Sequence, residues 1–118
     1  MQGARVVYKI LPRVDAERFR DAGTFEGSPL DLRDGFIHFS TAAQLRETLA
    51  RHYKGVRDLR VLGVSVALLP TEALRWEPSR GGALFPHLYA VLPWASVVER
   101  HDVDVGDDGT SVLPPGFP

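Results

Sequence analysis

The chain has no cysteine among its 118 residues, and this absence excludes several kinds of chemistry. Without thiols there are no disulfides, no thiolate zinc site and no cysteine nucleophile. An excess of one charge is also lacking, since 14 basic residues face 15 acidic ones and the formal net charge is −1. Proteins that grip a nucleic-acid backbone or an anionic membrane carry a basic surface, so we expect neither partner here.

Long apolar runs and a targeting signal are also absent. The longest apolar stretch, residues 61–69, falls far short of the roughly 20 residues that a membrane span needs. The first residues show no basic region followed by an apolar run, so we expect a cytoplasmic protein. The length predicts one domain over residues 1–105, followed by a Gly/Pro-rich, flexible tail at 106–118.

The predicted elements follow the order strand, helix, strand, helix and then a run of strands. One helix is expected from a cap at Asp15 to about Ala22, and residues 23–33 are expected to form a loop. A capping box at 41–44 opens a second helix that ends near Tyr53, with Gly55 as its left-handed cap. The strands are expected at 5–11, 36–40, 59–69, 74–77, 85–91 and 97–105. This is an α+β class with a split, mixed or antiparallel sheet and two main helices in the N-terminal half.

A histidine inside an apolar strand is the first candidate site. If residues 36–40 are extended, Phe36, His38 and Ser40 share one face, while Ile37 and Phe39 occupy the other. His38 then either satisfies a structural hydrogen bond or forms part of a site, and the pattern leaves both readings open. Ser40 and Thr41 precede a helix, so capping is an alternative explanation for at least one of them, and Thr41 is the one that fits the capping box.

A second group of polar residues lies between positions 76 and 89. A glycine pair at 81–82 would let the backbone approach a ligand closely. Two of these residues also have a structural explanation: Glu77 can form a surface ion pair, and His87 can occupy a turn. No ligand pair has close metal-binding spacing, so no metal is expected, and no nucleophile elbow, P-loop or dinucleotide fingerprint is present. The polar residues of this group are Glu77, Ser79, Arg80, His87 and Tyr89.

Three motifs carry a resemblance to a known family. VYKIL near the start, DGFIHFST and RWEPSRGGALFPHLY together resemble domain-of-unknown-function family 952, over nearly the whole chain up to about Val105. That family is similar to the ADP-ribosyltransferase fold, in particular to its RNA 2′-phosphotransferase branch. The resemblance implies NAD as a substrate, held in a cleft between two small sheets.

The resemblance also implies roles for individual residues. His38 and Ser40 would line the nicotinamide-ribose region, because a His-x-His-Leu-Ser strand of the phosphotransferases is similar to residues 36–40. Lys9 stands where many relatives have a ribose-binding histidine, and lysine donates hydrogen bonds but cannot accept them. We expect a catalytic set of His38, Glu77 and His87, and a ligand-binding set of Lys9, Ser40, Thr41, Ser79, Arg80 and Tyr89.

Two functions from different classes follow from this resemblance. The first is an NAD-dependent ADP-ribosyl-transfer enzyme that acts on a small-molecule or protein acceptor. The alternative is a non-catalytic module that binds a nucleotide or another small anionic ligand. A third reading is that the polar residues only tie loops together. The sequence predicts no oligomeric state.

Overall fold

A computed structural model describes residues 4–118, except for the side chain of Arg80. Within that range the chain forms eight strands and three α-helices, joined in places by short 3₁₀ turns. The helices are α1 (Arg13–Ala22), α2 (Pro29–Asp34) and α3 (Ala42–His52). The strands are β1 (Val6–Pro12), β2 (Thr24–Phe25), β3 (Ile37–His38), β4 (Leu59–Ser65), β5 (Leu74–Pro78), β6 (Leu84–Leu88), β7 (Leu92–Pro93) and β8 (Val97–Val103).

The strands form three small antiparallel sheets. One has the order β1-β4-β8, a second has the order β3-β6-β5, and β2 pairs with β7. The α+β class and the split antiparallel sheet are therefore confirmed. Within residues 4–118 no helix is both long and apolar enough to cross a membrane.

The predicted strand at 36–40 connects two of these sheets. Ile37 and His38 pair with β6, and the amide of Phe39 donates to the carbonyl of Pro86 at 3.0 Å. Ser40 instead exchanges two backbone hydrogen bonds with Tyr8 of β1, at 2.8 and 2.9 Å. The side chains of residues 36–40 therefore lie where the two larger sheets meet.

Two apolar cores lie on either side of β1 and β4. Phe19, Ile37, Phe39 and Leu88 belong to one core, with α1 packed on it. Leu45 and Leu49 of α3 belong to the other, and both side chains are fully buried, as their four-residue spacing predicts. Strand β4 contributes to both cores because its side chains alternate between two covered faces.

Several local predictions are wrong, and the strand predicted at 59–69 is one of them, because it ends at Ser65 and Val66–Leu68 form a 3₁₀ turn. Residues 23–33 are not a plain loop, because β2 and α2 form there, and α2 begins with its own capping box at Ser28. Asp15 does not cap α1: Pro12 occupies the N-cap position without a side-chain bond, and Asp15 lies in the first turn. Gly55 has a left-handed φ of 77°, but Tyr53 is the C-cap of α3.

The segment at 106–118 makes specific contacts with the domain. Arg46 donates to the carbonyls of Ser111 and Pro118 at 3.2 Å. The ring of Phe117 packs edge-on against Tyr8, with their centroids 5.1 Å apart. That residues 106–118 form a flexible tail stays a prediction.

The capping box of α3 provides the first test. The Thr41 hydroxyl accepts from the amide of Gln44 at 3.2 Å, and the Gln44 side chain accepts from the amide of Thr41 at 3.0 Å. Thr41→Ala leaves the Gln44 amide without this partner, so we expect a loss of about 1 kcal/mol in the free energy of unfolding. Thr71→Ala, at an exposed position in a 3₁₀ turn, is the control and should stay within about 0.5 kcal/mol of wild type. Equal losses in urea unfolding would contradict this assignment.

Candidate functional site

A cavity of about 860 Å³ lies where β1, the 36–40 segment, β6, α2 and α3 approach one another. Five predicted site residues contribute to its lining: Lys9, His38, Ser40, Ser79 and His87. Three others, Thr41, Glu77 and Tyr89, do not. The side chain of Arg80 lies outside the described part of the chain. The remaining lining residues are Tyr8, Ile10, Ser28, Leu30, Asp31, Phe39, Thr48, Arg51, His52, Tyr53 and Phe85.

One face of the sheet β3-β6-β5 is polar and aromatic. His38 lies opposite His87, and His87 lies opposite Arg75 on its other side. Directly opposed residues of antiparallel strands point to the same face, so these three side chains project together. The opposite face carries Ile37 and Leu88 into the core. The cavity therefore forms on the one face of this sheet that is not committed to apolar packing.

Asp31 is the most heavily bonded side chain at the cavity. This carboxylate is only 2% exposed, and α2 positions it at the third residue of the helix. One oxygen lies 2.6 Å from Nδ1 of His38 and also accepts from the His38 amide at 3.1 Å. The other accepts from Nζ of Lys9 at 2.8 Å and from the Ser28 amide at 2.9 Å. A buried charge is tolerated only when it is compensated in this way.

The charge of Asp31 is fixed by these partners. Burial alone would raise the pKa of the Asp31 carboxyl, but the hydrogen bond from His38 and the ammonium of Lys9 hold that pKa far below its ordinary range. Burial lowers the pKa of Lys9, and the Asp31 carboxylate opposes this effect. The two side chains therefore form a buried ion pair.

Lys9 has no hydrogen-bond donor left for a ligand. An ammonium group has three donors. Its Nζ lies 2.8 and 3.1 Å from the two Asp31 oxygens, and 3.1 Å from the carbonyl of His38. Lys9 lines the cavity, but its head group holds α2 and β3 together.

His38 lies between two carboxylates. Its Nδ1 faces Asp31, and its Nε2 lies 3.0 Å from an Asp34 oxygen. A histidine ring donates to two carboxylates at once only when both of its nitrogens carry hydrogen. Asp34 sits at the partly exposed end of α2, which makes it the more easily displaced of the two partners.

His87 forms a second histidine–carboxylate pair. Its Nδ1 lies 2.8 Å from a Glu77 oxygen, and the same oxygen accepts from the Tyr89 hydroxyl at 2.7 Å. The hydrogen bonds from Tyr89 and His87 lower the pKa of Glu77, which keeps it a carboxylate. Phe36 stacks on the His87 ring with 4.0 Å between the ring centroids. Cζ of Arg75 lies 4.7 Å from the centroid of the Tyr89 ring. The His87 side chain is therefore fixed on several sides.

The hydroxyl residues of the predicted set have different surroundings. Ser40 is buried, and its Oγ lies 3.0 Å from Oγ1 of Thr48 on α3. Thr41 serves as the helix cap. Ser79 is exposed at the rim, where its carbonyl accepts from the Gly82 amide at 2.8 Å. Among residues 4–118, no group of three or more histidine and acidic side chains is arranged to hold a metal ion.

Sequence reasoning missed Asp31 and Phe36. A signal for Asp31 was present, because Ser28-Pro-Leu-Asp31 has capping-box spacing with proline at the first helical position. The stacking of Phe36 on His87 depends on the pairing of β3 with β6, and because the two residues are 51 positions apart, no local sequence pattern predicts it.

The buried pair of Lys9 and Asp31 can be tested with a double-mutant cycle. Asp31→Asn leaves the Lys9 ammonium buried without a carboxylate, and Lys9→Met removes the ammonium that compensates the buried Asp31 charge, so each should cost about 3–5 kcal/mol of unfolding free energy. The double variant should lose far less than the sum. The surface pair of Arg60 and Asp102, with N and O 2.8 Å apart, is the matched control and should show a coupling of about 0–1 kcal/mol. A coupling at Lys9 and Asp31 no larger than at this control would show that the buried pair is not interdependent.

Comparisons with known proteins agree with the predicted family. A crystal structure of protein CC0527 from Caulobacter crescentus has 44% sequence identity to this chain and a TM-score of 0.84, covering 92% of this chain and 94% of that one. A solution NMR structure of CC0527 has 45% identity and a TM-score of 0.78, with coverages of 89% and 90%. Curated proteins offer no match. A family described as "Protein of unknown function (DUF952)" matches residues 10–100, and the chain belongs to this family.

Proposed function

We propose that the protein is an NAD-dependent enzyme of ADP-ribosyl transfer with an ADP-ribosyltransferase-like fold, and that the cavity is its substrate site. The observation that carries this proposal is the convergence of Lys9, His38, Ser40, Ser79 and His87 on one cavity. These residues come from four separate parts of the chain. A set that only tied neighbouring loops together would not need a common cavity.

The size and walls of the cavity support a ligand of nucleotide type. Its volume of about 860 Å³ lies within the range of roughly 300–1,000 Å³ that small-molecule sites occupy. Its walls come from two different sheets, as the resemblance to the transferase fold implies. Arg51 of α3 contributes a cationic group to the lining, which suits an anionic phosphate. We expect this activity in the cytoplasm.

We propose different roles for the individual predicted residues. His38 and Ser40 remain the groups that would hold the ribose. In the bound state a ribose hydroxyl would replace Asp34 as the partner of Nε2 of His38. Lys9 supports the site through Asp31 instead of gripping the ligand. Glu77 lies outside the lining and acts on His87.

A specific observation also favours a second candidate, the non-catalytic binding module. Lys9 has all three donors occupied, and Glu77, the carboxylate expected to assist transfer, does not line the cavity. A pocket of this kind could bind a nucleotide or a small anion without promoting a reaction. The two candidates differ in turnover and not in binding.

Thermal unfolding with NAD, followed by an assay for nicotinamide, separates these candidates. We expect millimolar NAD to raise the Tm and nicotinamide to accumulate with time. His38→Gln should lose both effects because the ring that faces the ribose is gone. His101→Gln, on β8 and outside the cavity lining, is the matched control and should keep both.

Each other result is informative. A raised Tm without nicotinamide release would favour the binding module. Neither effect in the wild-type protein, at NAD concentrations up to several millimolar, would contradict the transfer enzyme and would restrict the binding module to ligands other than NAD.

A further inference from the structure

The ring of His87 combines a fixed orientation with an open nitrogen. Its side chain is only 6% exposed, and Nδ1 is held by Glu77 at 2.8 Å. Its Nε2 has no hydrogen-bond partner among the described residues. Among the described residues, Ser111 Oγ is the only side-chain nitrogen or oxygen that is both fully buried and without a hydrogen-bond partner. The unpartnered Nε2 of His87 is therefore not fully buried and keeps accessible surface. Because His87 lines the cavity, we place this surface on the cavity side.

The protonation pattern follows from the partner of Nδ1. A carboxylate only accepts hydrogen bonds, so the Nδ1 atom that faces Glu77 must carry the proton. In the neutral ring, Nε2 then presents a lone pair. The hydrogen bonds from Tyr89 and His87 that lower the pKa of Glu77 keep this arrangement in place. A fixed imidazole with its lone pair open to a cavity has the geometry of a general base.

We propose that His87 is the general base that removes the proton of the attacking hydroxyl group, and that Glu77 is a positioning residue that fixes its tautomer. This inference rests on the proposed function and names its acceptor class: water or a hydroxyl group of a small molecule. A base is required only when the nucleophile must lose a proton. The depth of His87 favours an acceptor that enters the cavity over a side chain on a protein surface.

The step balances without a further reagent. The bond between the ribose C1′ and the nicotinamide nitrogen breaks, and its electron pair leaves with nicotinamide. A bond forms between C1′ and the acceptor oxygen. The proton of that oxygen passes to Nε2 of His87, which later returns it to water. His38, held by Asp31 on its other side, has no part in this proton transfer.

Two kinds of nucleophile, those that must lose a proton and one that need not, distinguish a base from a residue that merely supports the fold. Nicotinamide release from NAD is measured in the wild type, His87→Ala and Glu77→Gln, once with water and added methanol and once with azide. Azide carries no proton to lose, so it bypasses the base. We expect His87→Ala to lower the water and methanol reactions by about 10²–10⁴-fold and to change the azide reaction by less than about tenfold. Glu77→Gln should follow the same pattern with a smaller loss, and added imidazole should partly restore His87→Ala.

The results overturn the inference in separable ways. If the wild type releases nicotinamide but His87→Ala lowers the azide and water reactions equally, the proposed function stands and the role of His87 as base falls. If the wild type releases nicotinamide with neither nucleophile, the proposed function falls and this step falls with it. Nitrogen-15 NMR of the wild type provides a check without turnover: a neutral His87 ring with its proton on Nε2 would overturn the role assigned to Glu77.

Discussion

The site depends on one buried carboxylate. Asp31 accepts hydrogen bonds from Lys9 of β1, from both the ring and the amide of His38, and from the Ser28 amide that precedes its own helix. These groups belong to three separate parts of the fold. An uncompensated buried charge costs several kcal/mol, so the hydrogen-bond donors must stay within bonding distance of the Asp31 carboxylate. This requirement fixes the orientation of the His38 ring.

The rest of the site follows from the way the sheets meet. Ser40 pairs with Tyr8 on one sheet while His38 pairs with His87 on the other, so a five-residue segment links the two. Ile37 and Phe39 of that segment enter the core, whereas His38 and Ser40 contribute to the cavity lining. Both histidines have a carboxylate at Nδ1. Asp31 is this partner for His38, and Glu77 is this partner for His87. One histidine has both nitrogens engaged by carboxylates, and the other keeps one nitrogen open.

Local patterns predicted the elements whose causes are local. The capping box at Thr41 and Gln44, the stripe of Leu45 and Leu49, and the alternation at 36–40 are all short-range features, and all three are confirmed. Helix α2 was missed because six residues between Gly27 and Gly35 look like a loop. The partnership of Lys9 with Asp31 spans 22 residues, and it forms only when α2 packs against β1. The contacts of Glu77 with His87 and Tyr89 likewise depend on the register of β5 against β6.

We propose the cavity beside Asp31 as the ligand site, and a titration of the nitrogen-15-labelled protein with NAD, followed by NMR, locates the bound ligand. We expect saturable shifts that concentrate at the amides of His38, Ser40 and His87, with little change along β8 at the far edge of its sheet. Shifts centred on β8, or no saturable shift at millimolar NAD, would contradict it.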